Sequence, residues 1–206
     1  MIDDPTFAYR VVFGLLIFSV LGAIDLARHP DDPRRLKEYG FLFGVTGAVM
    51  LYGVAHDAVT FAIAPEYFSV LKGLGDASFF PDVARLALMA SWTVGLAIGL
   101  VLLVANNPSR RPQLGYRLLV RQLGWPFALS PLLAVAFGTL TACAPSTARR
   151  ALAVDGFAIV RPDEVAVVWA IHIGTYAGAA LGAAIAVVRV RALRGARDGC
   201  VNRAGG

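Results

Sequence analysis

The sequence predicts an all-α integral membrane bundle of five transmembrane helices, N-terminus outside, C-terminus cytoplasmic, with small ordered outer loops. Three observations carry that expectation. Hydrophobic residues make up 57% of the 206 and charged residues 16%, with a mean hydropathy of +0.65, whereas soluble domains are about a quarter charged. The apolar residues gather in five long runs, each close to the roughly 20 residues a helix needs to cross a hydrocarbon core. The basic residues sort by loop. No run alternates as a membrane strand would, and no linker separates a second unit, so residues 1–206 read as a single transmembrane domain.

The first run is Phe7–Leu26. Arg10 and Asp25 lie near its ends, where side chains reach the headgroups. Its leader "MIDDPTFAY" is acidic where the start of a signal peptide is basic, so the segment is expected to stay in the mature protein. A charged turn, "HPDDP", follows and leaves His29 solvated. The second run, Phe41–Ala64, carries His56 and Asp57 well inside and stops at Pro65. Outer loop 65–85 contains Pro65, Tyr67, Phe68, Phe79, Phe80 and Pro81, which places aromatic rings at headgroup depth.

The third run, Leu86–Ala105, and the fourth, Trp125–Ala144, contain no charged residue. Between them lies a polar stretch with the turn "NNPSRRP". Pro131 is expected to kink the fourth helix, because proline removes a backbone hydrogen bond and clashes one turn back. Cys143 reads as a small packing residue and, by this topology, lies opposite Cys200, so the two cannot pair within one chain. In "ALAVDGFAIV" two apolar quartets flank Asp155-Gly156, which predicts a small hairpin with a type I′ turn. The fifth run is Val165–Val188.

A net charge of +5 invites a nucleic-acid reading, but the distribution of charge argues against it. One set of alternate loops holds Arg28, Arg34, Arg35, Lys37, Arg110, Arg111, Arg117 and Arg121, and the tail adds Arg189, Arg191, Arg194, Arg197 and Arg203. The opposite loops hold only Lys72, Arg149, Arg150 and Arg161. The excess marks the cytoplasmic side. Anionic membrane lipid is then the partner of the basic tail, not nucleic acid. The bacterial inner membrane is the expected location.

Small residues predict helix contacts. Gly174, Gly178 and Gly182 form a ridge on the fifth span, Gly95 and Gly99 lie on the third, and Gly40 and Gly44 on the second. Small side chains let backbones approach where water does not drive association. The ridge is a face for another helix, a partner protein or a second copy of the chain.

Ionisable groups inside the spans single out one constellation. His56 and Asp57 sit about 100° apart on their helix with Thr60 between them, forming a polar wedge. His172 shares a stripe with Thr175, Tyr176 and Ala179, opposite the glycine ridge. At about 1.5 Å per residue both imidazoles fall roughly 5 Å to the outer side of the bilayer centre. Glu66 and Tyr67 follow Pro65, and the break there would let Glu66 fold back over the wedge. An ionised aspartate at this depth costs several kcal/mol unless it is paired. Three answers stay open: a structural hydrogen bond to an imidazole, a proton or substrate relay through a protonated Asp57, or a divalent cation held by His56, Asp57, Glu66 and His172. Zinc, iron and manganese suit that last donor set, with Tyr52, Thr60, Tyr67 and Tyr176 as supporting polar groups.

The stretch Tyr52-Gly53-x-x-His56-Asp57-x-x-Thr60-x5-Glu66-Tyr67-Phe68 resembles a motif in a group of small, uncharacterised bacterial multi-span membrane proteins. The resemblance covers 17 of the 206 residues, with a looser echo at His172-x3-Tyr176, and implies a shared unit without an activity. Among enzyme motifs, no HExxH, Walker loop, GxGxxG or suitable Ser-His-Asp order occurs. Three function classes follow: a membrane protein with a buried metal site, a non-catalytic accessory or assembly subunit of a larger complex, and a proton-coupled transporter. Five spans without an inverted repeat fit the third poorly.

Overall fold

A computed structural model describes residues 6–76, 78–107 and 113–204, with side chains through residue 196. The turn "NNPSRRP", with Arg110 and Arg111, falls mostly outside the described residues, as do the side chains of Arg197, Cys200 and Arg203. Among the described residues there are seven α-helices: α1 Thr6–Arg28, α2 Arg34–Ile63, α3 Ala84–Ala105, α4 Tyr116–Gln122, α5 Gly124–Cys143, α6 Pro145–Ala151 and α7 Pro162–Ala204. Among the described residues, five helical stretches are long and apolar enough to cross a membrane: α1, α2, α3 with the turn before it, α4 with α5, and α7. Helices α2 and α7 outrun their apolar cores at the basic end, because Arg and Lys are good helix formers that need no burial.

Two tight pairs, α2 with α3 and α5 with α7, form the body of the bundle. Glycine sets both contacts. A Cβ at Gly174, Gly178 or Gly182 would stand 2.4, 2.3 or 2.4 Å from backbone atoms of Leu133, Leu129 or Pro126 on α5. At Gly95 it would stand 2.6 Å from Thr46 Cα. Gly138 on α5 makes room in the same way for Ile171. The α7 ridge is thus covered by the chain's own α5 and presents no face to another protein. Gly40 and Gly44 have nothing within 4 Å and form no such contact. Helix α5 runs through Pro131 without interruption.

Each end of the bundle has its own packed core. At the end carrying residues 29–33 and 113–115, Phe41, Val45, Leu102, Leu119 and Val190 are buried together. Helix α3 terminates there at Asn106, wholly buried, whose side chain donates to Leu114 O at 3.0 Å and accepts from Leu114 N at 2.9 Å. Arg194 of α7 donates to Ala105 O at 2.7 Å and to Asn107 O, satisfying the carbonyls a helix end leaves over. Helix α1 packs against α2. Asp25, 8% exposed, accepts from the N–H groups of Arg35 (2.7 Å) and Leu36 (3.4 Å). The carboxylate therefore caps the start of α2, where the helix dipole favours an anion, instead of reaching for headgroups. His29 lies 3.3 Å from Asp25 with its side chain 65% exposed.

The other end differs from expectation in three ways. Tyr67 and Phe68, expected at headgroup depth, fold inward to 3% and 0% exposure against Val83, Val154, Val165 and Val168. Proline causes this: Pro65 pushes Ala64 to φ −144°, ψ 90°, ends α2 and turns the π-helical turn Tyr67–Leu71 back over α7. No hairpin forms around Asp155-Gly156. Helix α6, started by Pro145 at its first turn, and a 3₁₀ turn Val154–Gly156 replace it. The left-handed residue is Ala153 (φ 55°), a conformation that draws Val154 into the core. Cys143 is exposed at the end of α5 and so is not a packing residue.

Candidate metal centre

The polar wedge lies between the two cores. Helix α2 brings His56 and Asp57 from one side and α7 brings His172 from the other. One ligand atom from each of the three lies within 4.8 Å of the others. Asp57 and His172 are 9% and 8% exposed, and their rings and carboxylate are in direct contact, with His172 Nε2 3.2 Å from Asp57 Oδ1. The two imidazole centroids are 4.9 Å apart at 80°. Helical period alone placed these rings at one level, and the fold brings them together.

Tyrosines hold both rings in place. Tyr67 stacks on His172 at 4.6 Å and 24°, and Tyr52 lies over His56 at 5.9 Å and 23°. The inward fold of the segment after Pro65 is what delivers Tyr67. The remaining expected members separate into two groups. Tyr176, half exposed, lines the cleft beside the cluster. Thr60 does not join it, because its hydroxyl lies 3.3 Å from the carbonyls of both His56 and Asp57.

Glu66 is also outside the cluster. Its carboxylate accepts from Val160 N–H at 3.0 Å and Arg161 N–H at 2.9 Å, tying the α2 exit to the start of α7. These two amides immediately precede helix α7, and pairing with them holds the carboxylate away from the wedge. The group whose ligand atoms lie close enough to share an ion is His56, Asp57 and His172, and Glu66 is not part of it. Glu66→Ala is expected to speed amide exchange at residues 160 and 161 on the order of tenfold, since charge-assisted bonds are lost. Metal content should not change; a matching loss of metal would return Glu66 to the centre.

The hydrogen bonding of His172 decides what the cluster can do. Its Nδ1 lies 2.9 Å from Val168 O, and a carbonyl only accepts, so Nδ1 carries a proton. In the neutral ring Nε2 is then a bare lone pair directed at Asp57 Oδ1. Two lone pairs at 3.2 Å repel unless a proton or a cation lies between them. His56 Nε2 is buried with no hydrogen-bond partner among the described residues. The 3.2 Å contact fits either a shared proton or two donors of one ion, and the three ligand atoms lie within 4.8 Å of one another. An Nδ1–H donated to a backbone carbonyl is also how metal-bound histidines fix their tautomer.

A cleft adjoins the cluster, walled by α2, α3, α5 and α7 and including Tyr52, Ser91, Phe127, Ser130 and Thr175. Its volume of about 60 Å³ takes a few waters at roughly 10–15 Å³ each. Ser91 and Ser130 were not singled out from the sequence, although each is a hydroxyl within a run devoid of charge. Comparison with protein-family models, curated proteins and solved structures returned no match.

Proposed function

We propose that this chain is a polytopic protein of the bacterial inner membrane, N-terminus outside and C-terminus cytoplasmic, that binds a divalent transition metal in the outer half of the bilayer. His56, Asp57 and His172 are the ligands, and zinc, iron or manganese is the ion their donor set favours. One observation carries the reading: the proton on His172 Nδ1 is committed to Val168 O, so its Nε2 faces a buried carboxylate at 3.2 Å with a lone pair to give. Three protein ligands leave a position for water or substrate, the pattern of reactive rather than purely structural sites. An accessory-subunit role would need a face other than the α7 ridge, which α5 occupies.

Elemental analysis of the detergent-purified protein tests the proposal. About one equivalent of metal per chain is expected, given the affinity of buried imidazole and carboxylate donors. Less than about a tenth of an equivalent, after purification without chelator, would leave a shared proton between Asp57 and His172 as the force holding the pair.

A further inference from the structure

The His56, Asp57 and His172 cluster has two unlike sides. Toward the core of Val83, Val154 and Val165 it is covered by rings: Tyr67, 3% exposed, stacks on His172, and Phe68, 0% exposed, meets the same imidazole edge-on. Toward the core of Phe41 and Leu102, each helix presents a hydroxyl one turn from its histidine. Tyr52 precedes His56 by four residues on α2, and Thr175 follows His172 by three on α7. Those spacings keep each hydroxyl residue on the face of its histidine, roughly 6 and 4.5 Å further along at about 1.5 Å per residue. All five residues line the one cleft.

Thr175 is the member that packing does not explain. It is 9% exposed, and its Oγ1 is buried with no hydrogen-bond partner among the described residues. A helical threonine ordinarily gives its proton to the carbonyl three or four residues back, as Thr46 and Thr60 do here. Thr175 does not, so its hydroxyl keeps a proton to donate and lone pairs to accept with. The Tyr52 hydroxyl is its neighbour and still leaves it unsatisfied. The other buried polar atom of this cleft without a partner among the described residues is His56 Nε2. Buried polar atoms of native proteins are paired, by water or a ligand where the chain itself supplies no partner. We propose that Thr175 is the hydrogen-bond partner of a small monodentate oxygen- or nitrogen-donor ligand, water or an inorganic anion, that completes the coordination of an ion held by His56, Asp57 and His172. This rests on the metal reading, in which three protein ligands leave one position. Rings fill the Tyr67 side, so that position faces the cleft. A hydroxyl that both donates and accepts suits either ligand there: it accepts from the O–H of water and donates to an anion.

Cobalt(II) occupies imidazole and carboxylate sites of the zinc type and absorbs visible light, so its spectrum reports each change of ligand. The full-length protein in detergent micelles is loaded with cobalt, its cobalt content is measured, and sodium azide is titrated in while the visible spectrum is followed. Azide should change the spectrum saturably. Thr175→Val keeps the shape and removes the hydroxyl; it should weaken azide at least about tenfold, the loss of one hydrogen bond to a charged group, with cobalt content unchanged. Thr175→Ser should hold azide within about threefold of the unmodified chain, because the hydroxyl is retained. Thr175→Ala gives the same comparison if valine packs badly enough to lower the cobalt content. Equal azide affinity in the unmodified and valine proteins overturns the assignment, since a threonine that only packs would move the melt and not the dissociation constant. Serine as weak as valine overturns it too. Bound cobalt that does not respond to azide removes the ligand position and leaves the metal reading standing, whereas protein that takes up no cobalt ends both.

Discussion

His172→Ala protein is expected to purify as a folded bundle holding less than about a tenth of the metal bound by the unmodified chain. The fold should survive because α7 is anchored elsewhere, by the glycine ridge against α5 and by Arg194 at the end of α3. The metal should not, because the two ligands left, His56 and Asp57, are neighbours on one helix and cannot enclose an ion. Asp57→Asn offers a second view. The carboxamide keeps the shape but loses the charge, so affinity should fall on the order of 100-fold while the bundle stays intact. If instead the pair is held by a proton alone, both variants lose stability and neither changes a metal content that was never there. Metal analysis alongside a thermal melt separates these outcomes. Full metal in His172→Ala would end the assignment.

The largest loss of stability is expected from Gly178→Leu. Its first side-chain carbon would stand 2.3 Å from Leu129 O and 2.6 Å from Ser130 Cα, backbone atoms that no rotamer change can move. Overpacking a fitted contact costs about 1–3 kcal/mol and more when the obstacle is main chain. The apparent melting temperature in detergent should fall on the order of 10 °C. Gly44→Leu is the matched comparison, since nothing lies within 4 Å of a Cβ there. It should melt within a degree or two of the unmodified chain, in keeping with open helix surface. Equal melts for the two variants would mean that α5 and α7 do not meet through this ridge.

How much of this was legible in the sequence follows from the range of each interaction. Run length gives the five apolar helices directly, because an uncharged stretch such as 86–105 has few other solutions. Helical period and equal depth sufficed to pair His56 with His172. Glu66 failed because its partners are backbone amides at 160 and 161, ninety-odd residues away, and a peptide N–H leaves no trace in a sequence. Arg194 was counted among basic tail residues for the same reason, as what it satisfies are carbonyls at the end of α3. At Asp155-Gly156 a local turn signal lost to burial of Val154. The glycine ridge announced a contact, but only the fold could say which helix fills it.

The contact between Asp57 and His172 bridges 115 positions of the chain. At about 5–20 residues per second of synthesis, roughly 6 to 23 s separate the appearance of the aspartate from that of its mate. Throughout that interval the nascent polypeptide carries an unmatched acid beside an unmatched imidazole. A chain that stops before α7 therefore leaves the Asp57 carboxylate without its histidine.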